Sequence, residues 1–341
     1  MEQRFLFTAS ETERQSDGMS DGQSQTLTMS SPETVALSAI PAEPYRQTEI
    51  YRLPDHFPVL APAEPEARPK VFRHVLLAVI TLLTTTAAGF FLFGSLNSGL
   101  IYSATLLTIL TAHEMGHYIA CRWYGVEATL PYYIPFVLPF PVLQVGTFGA
   151  FIKIKSPIPS RKALFDIGIA GPLAGFVFAL PAAFIAHYYA QPSPFVAGDD
   201  FISFQDPLLF TFFQRLMHLP NDLLLNPVMW ATWVGLLMTA LNLMPVGQLD
   251  GGHVTYALFG RRGHRALALV CYFGVVALVA YSIKTGSWSY ILYAVILTLM
   301  MRVGHPPVVE EERTIGVSRM IVALIGLLVF ILCFMPFPIS L

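Results

Sequence analysis

The run Leu100–Arg122, LIYSATLLTILTAHEMGHYIACR, decides how this chain is read. It is apolar over a length that crosses a bilayer at about 1.5 Å per residue. Its later half nevertheless holds His113, Glu114 and His117. An ionisable residue at the bilayer centre costs about 2.5–3.5 kcal/mol, so three within one turn need a cause beyond packing. Histidines four apart lie about 40° apart around a helix, one turn above each other, so both imidazoles reach a single ion. Glu114, next to the first histidine, lies beside that ion rather than on it. There it can take a proton from water and pass it to a leaving amine.

The rest of the chain agrees with a membrane setting. Of its 341 residues 54% are hydrophobic and 12% charged, with mean hydropathy +0.58. A soluble domain carries about 25% charged residues, so the composition points to an all-α polytopic membrane protein rather than a soluble enzyme. A net charge of −2 and the lack of a Lys/Arg cluster exclude a nucleic-acid partner. Three cysteines in apolar segments make no disulfide framework.

Residues 1–69 differ from the remainder. They hold 11 of the 22 acidic residues with 5 basic ones, and are rich in Ser, Thr, Gln and Pro. The expectation is a disordered acidic cytoplasmic tail, followed by one membrane-embedded domain over residues 70–341. No basic and then apolar opening marks a signal peptide, and the acidity argues against a plastid transit peptide.

About seven spans are expected, near Phe72–Phe93, Leu100–Arg122, Ala163–Tyr188, Pro227–Met244, Ala266–Ile283, Trp288–Met301 and Met320–Phe334. Between Val126 and Ser160 an apolar, proline-broken stretch reads as a re-entrant or β-like membrane segment. With seven spans, 14 Lys/Arg fall on one side and Arg215 and Lys284 on the other. Positive residues stay cytoplasmic, so the N-terminus is expected inside and the C-terminus outside. The four tryptophans near span ends fit an aromatic belt.

A catalytic zinc needs a third protein ligand and an open fourth position. Downstream of the tail, loops and span edges account for all acidic residues except Glu114 and Asp250. Asp250 lies in Asn242-Leu243-Met244-Pro245-Val246-Gly247-Gln248-Leu249-Asp250-Gly251-Gly252. Pro245 breaks the fourth span, and Asp250 is expected on the unwound backbone that follows, at the depth of the histidines. An open facial triad also suits ferrous iron, but the HExxH order favours zinc.

Other residues read more plainly. His253 is taken as polar at the membrane interface. Gly168, Gly171 and Gly175 serve close helix packing, and Asp166 forms an interfacial ion pair with neighbouring Arg161 and Lys162.

His113, Glu114 and His117 with Asn242, Pro245, Asp250 and Gly251 resemble the site-2 protease family of intramembrane zinc metalloproteases. The similarity covers roughly Phe72 to Arg262. It looks closest to small bacterial and plastid members carrying Gly146-Thr147-Phe148-Gly149 and Phe165–Pro172. The outer loop Gln191–Asn226 is too short for the PDZ module of some relatives.

The resemblance implies hydrolysis of peptide bonds in or near a substrate's transmembrane helix, a role in regulated intramembrane proteolysis. It implies one Zn2+ per chain on His113, His117 and Asp250, with Glu114 as general base. Asn242 would hold substrate or the developing oxyanion. Val145–Lys155, with Gly146, Phe148 and Gly149, would form an edge strand that receives unwound substrate. Partners are a transmembrane protein substrate and the lipid bilayer, and the expected location is a bacterial inner membrane. The competing reading is a non-catalytic membrane client-binding protein or transporter. A membrane protease with a third-ligand Glu on a later helix is disfavoured, because no later span contains a Glu.

Overall fold

A computed structural model describes residues 71–136, 145–193, 203–284, 294, 295, 298, 301, 315–336 and 339–340. The expected tail over 1–69 lies outside the described residues, as does nearly all of the expected span Trp288–Met301. Seven helices are described: α1 (Val71–Phe93), α2 (Leu96–Trp123), α3 (Arg161–Tyr188), α4 (Leu208–Leu216), α5 (Pro227–Asn242), α6 (Asp250–Lys284, kinked by non-helical backbone at Gly260) and α7 (Val317–Cys333). Three are long and apolar enough to cross a membrane: Val71–Phe93, Arg161–Tyr188 and Asp250–Tyr281. The chain is a multi-pass membrane protein. α5 and α7 coincide with expected spans but have only 16 and 17 residues.

Helix starts follow local chemistry. The Ser95, Ser160 and Asn226 side chains accept from the main-chain N–H of Ser98, Ala163 and Met229, satisfying donors that a first turn leaves open. Pro227 follows Asn226 at the first helical position, where its missing N–H costs nothing.

The core lies where α2, α3 and α5 meet. Tyr102, Leu106 and Ile109 from α2 pack with Leu164 and Phe165 from α3 and Trp230 and Leu236 from α5. α1 and α7 flank this layer and turn large side chains outward, among them Leu83, Phe91, Leu324 and Leu328. In a membrane protein such outward apolar faces meet lipid.

The proline-broken stretch contains β1 (Tyr132–Pro135) and β2 (Thr147–Phe151), paired antiparallel with Tyr132 opposite Phe151 and Tyr133 opposite Ala150. A second small sheet pairs β3 (Ser203–Phe204) with β4 (Ile339–Ser340), which the sequence reading does not anticipate. The first sheet is pinned to the helices. His74 Nδ1 lies 3.1 Å from the Pro131 carbonyl oxygen, Thr84 Oγ1 donates to the Gly146 carbonyl at 2.7 Å, and Tyr102 donates to the Val145 carbonyl at 2.7 Å. After β2 the chain stays extended, with Lys155 N–H donating to the Glu127 carbonyl.

Candidate metal centre

His113, Glu114 and His117 are all buried on one stretch of α2, at 5, 6 and 7% exposure. The two imidazole centroids stand 5.0 Å apart, as the four-residue helical spacing requires. The third group arrives from 137 residues away in sequence: Asp250 Oδ2 lies 3.1 Å from His113 Nε2 and 3.2 Å from His117 Nε2. The ligand atoms of the three residues lie within 4.8 Å of one another.

Asp250 is brought there differently from the sequence expectation. The unwound stretch is Leu243–Leu249, and Asp250 is already the first residue of α6. A carboxylate in a first turn gains from the partial positive charge of that helix end. The glycine after it permits the geometry, since a Cβ at Gly251 would stand 1.9 Å from the Leu243 carbonyl oxygen. Asn242, the last residue of α5, points its amide at the same place, with Nδ2 3.2 Å from His113 Nε2.

α3 closes the back of the site. His117 Nδ1 lies 2.7 Å from the Ile167 carbonyl oxygen, so that nitrogen carries an N–H and Nε2 is the ring atom that faces Asp250. Both rings rest on glycines. A Cβ at Gly171 would stand 2.0 Å from His117 Nε2, and one at Gly175 3.2 Å from His113 Cβ. The close packing expected of Gly171 and Gly175 is thus packing against the two histidines themselves, whereas Gly168 packs against His253 and the Asp250 carbonyl of α6.

On the opposite side the extended chain after β2 reaches Glu114, with the Ile152 main-chain N–H directed at its carboxylate. The space between is a cavity of about 960 Å³, lined by His113, Glu114, His117, Asn242, Asp250 and the segment Ala150–Ile158 among others. His253, expected at the interface, lines this cavity as well. Gly146, Phe148 and Gly149 are not among its lining residues. Gly146 packs on α1, Phe148 is exposed and packs against the tilted Phe136 ring at 3.7 Å between centroids, and Gly149 adjoins Met238.

The expected pairing of Asp166 with Arg161 and Lys162 is also replaced. Asp166 pairs with Arg319 of α7, and Arg161 instead donates to the Ala257 carbonyl of α6.

The donor set fits zinc. Two imidazole nitrogens and a carboxylate oxygen form a three-ligand set of the catalytic kind. Ligands about 2.0–2.2 Å from a tetrahedral zinc stand about 3.3–3.6 Å from each other, near the observed 3.1 and 3.2 Å. Two helical histidines, a glutamate between them and an aspartate from a later helix, buried in a membrane protein, define the class of membrane metalloproteases.

The chain belongs to peptidase family M50, whose profile matches residues 101–281 and stops short of α7. This agrees with the resemblance to the site-2 proteases. Among its relatives is the "probable zinc metalloprotease EGY1, chloroplastic" of Oryza sativa subsp. japonica, 29% identical over 251 residues, covering 70% of this chain and 41% of the relative. Another is the "probable zinc metalloprotease EGY2, chloroplastic" of Arabidopsis thaliana, 28% identical over 253 residues, covering 71% and 43%. The match thus spans less than half the length of these relatives. Among solved structures, the site-2 protease from Methanocaldococcus jannaschii aligns with 70% of this chain and 92% of its own at TM-score 0.36 and 16% identity.

Proposed function

We propose that the chain is an intramembrane zinc endopeptidase that hydrolyses peptide bonds in or near transmembrane helices of membrane-protein substrates. The observation that carries this reading is the convergence of His113, His117 and Asp250 beside Glu114 in one buried, cavity-lining cluster. In this reading His113, His117 and Asp250 hold one zinc ion, which supplies the Lewis acidity that makes water a nucleophile near neutral pH.

The chain's own residues do the remainder. The Glu114 carboxylate takes the proton of the attacking water and passes it to the leaving amine nitrogen. The Ile152 main-chain N–H, directed at that carboxylate, orients it toward the cavity. The Asn242 amide donates to the carbonyl oxygen as negative charge develops on it. The substrate opens from a helix and lies along the extended segment from Val145 to Lys155. Gly146 and Gly149 shape this segment, and Phe148 offers an apolar contact beside it.

In the same reading seven spans cross a bacterial inner membrane, with the acidic tail of residues 1–69 in the cytoplasm and the C-terminus outside. The deciding experiment is the metal content of detergent-purified protein beside Asp250→Ala. About one zinc per chain, lost or sharply weakened in the variant, supports the three-ligand site. No zinc, or zinc indifferent to Asp250, overturns it in favour of a client-binding protein.

A further inference from the structure

Behind the metal centre, α3 is a weak helix where it needs to be rigid. Gly168 and Gly171 lower its intrinsic stability, and Pro172 lacks the N–H that the Gly168 carbonyl would accept in an unbroken helix. The first turns of α3, which carry Leu164 and Phe165 into the core and end at the Ile167 carbonyl that receives His117, lie before this gap in the helix's hydrogen-bond ladder.

Those turns are held from outside. Arg319 grips Asp166, the residue beside Ile167, with both arms of its guanidinium: Nε to Oδ1 at 2.9 Å and Nη2 to Oδ2 at 2.6 Å. The same Nη2 donates to the Tyr124 hydroxyl at 3.1 Å, and Tyr124 in turn donates to Asp166 Oδ2. Tyr124 caps the C-terminus of α2, the helix carrying both histidines. One cation thus ties α7, the end of α2 and the start of α3 together. A bidentate Arg–carboxylate pair fixes geometry as well as distance. α7 is seated closely enough to transmit this, since a Cβ at Gly326 would stand 2.6 Å from Ile169 Cδ1 of α3.

We propose that Arg319 is a positioning residue for the metal centre, setting the His117 ring through Asp166 and the Ile167 carbonyl. The proposal rests on the zinc reading above and adds α7, which lies outside the stretch that defines the family. It predicts that the last described helix is part of the metal-binding machinery rather than a passive lipid-facing span.

The test uses the full chain in detergent, comparing wild type, Arg319→Ala, Arg319→Lys, Asp166→Asn and the lipid-facing control Leu324→Ala. Three quantities are read: zinc affinity by chelator competition, the visible spectrum with cobalt(II), and the ¹⁵N signal of the His117 ring in metal-free protein. Arg319→Ala and Asp166→Asn should weaken zinc about tenfold or more, the size typical of losing an outer-shell partner of a ligand. They should also shift the cobalt spectrum and the His117 signal. Arg319→Lys should recover only part of this, because a point charge does not replace the fork. Leu324→Ala should match wild type.

Zinc affinity within twofold of wild type in folded Arg319→Ala, with both spectra unchanged, would overturn the proposal. If Arg319→Ala does not fold, Arg319→Lys decides by the same readouts. Wild type that takes up no zinc would refute the metal reading, and the His117 signal would still decide the clamp.

Discussion

His117 and Gly171 face each other so closely that no side chain fits between them: a Cβ on Gly171 would stand 2.0 Å from His117 Nε2. The ring has no easy retreat, because its Nδ1 is held by the Ile167 carbonyl at 2.7 Å. The atom displaced is the one that would bind metal. A methyl group added at this point therefore acts on the site before it acts on the fold.

Gly171→Ala is expected to abolish stoichiometric zinc binding. Gly175→Ala, with its nearest contact at 3.2 Å, should weaken it only severalfold. Metal analysis of the purified variants checks both. Gly274→Ala is the control, since a Cβ there meets nothing within 4 Å. Equal zinc content in Gly171→Ala and Gly274→Ala would show that His117 is not a ligand in this pose.

Glu114→Gln separates binding from chemistry. The amide keeps the size and burial of the side chain and is not a ligand in the three-residue set. Zinc content should stay at the wild-type level, while cleavage of a membrane-protein substrate falls by about 10²–10⁴-fold, the usual worth of a general base. Cleavage at the wild-type rate would remove Glu114 from that role.

How far this site was legible depended on whether each residue left a local trace. His113, Glu114 and His117 did, because a four-residue spacing and the cost of charge in an apolar span are both visible in sequence. Asp250 was legible by exclusion, as the other acidic residue that no loop or span edge explained. Its backbone was not: the Leu243–Leu249 break falls before it, and the glycine that lets α6 begin there makes its contact with the carbonyl of Leu243. The Ile167 carbonyl could not be found at all, since a main-chain acceptor has no sequence signature. Asp166 has its nearest cations in sequence at Arg161 and Lys162, whereas its partner Arg319 lies 153 residues away and is brought to it by the fold. The lining segment Ala150–Ile158 was blurred for a similar reason, as Ile152 and Ile154 pack inward while the main chain meets Glu114.

Asn242→Ala should leave zinc within a few fold and lower the turnover number by about 10²–10³-fold, as loss of one oxyanion donor does. The residue's amide stands at the end of α5 and is absent from the three-ligand set. Parallel measurements of metal content and single-turnover cleavage check this. A large zinc loss with the residual metal-loaded fraction fully active would make Asn242 a support for His113 and nothing more.

The approach of the Ile152 main-chain N–H to Glu114 yields the last prediction, because it can be removed without changing Glu114 itself. Ile152 follows β2, where its side chain joins the cluster of Cys121, Val126 and Ile167. Two substitutions divide these roles. Ile152→Ala thins that cluster but keeps the N–H. It should lower thermal stability while leaving turnover of the folded, zinc-loaded enzyme near wild type. Ile152→Pro removes the donor, since proline has no N–H. It should cut turnover well below that of Ile152→Ala at equal zinc content, because Glu114 loses the contact that aims it into the cavity. Cleavage rates normalised to bound zinc, with unfolding temperatures measured alongside, read the two effects separately. Equal normalised rates in the two variants would mean that the segment after β2 does not orient the general base, and its part in the site would reduce to lining the cavity.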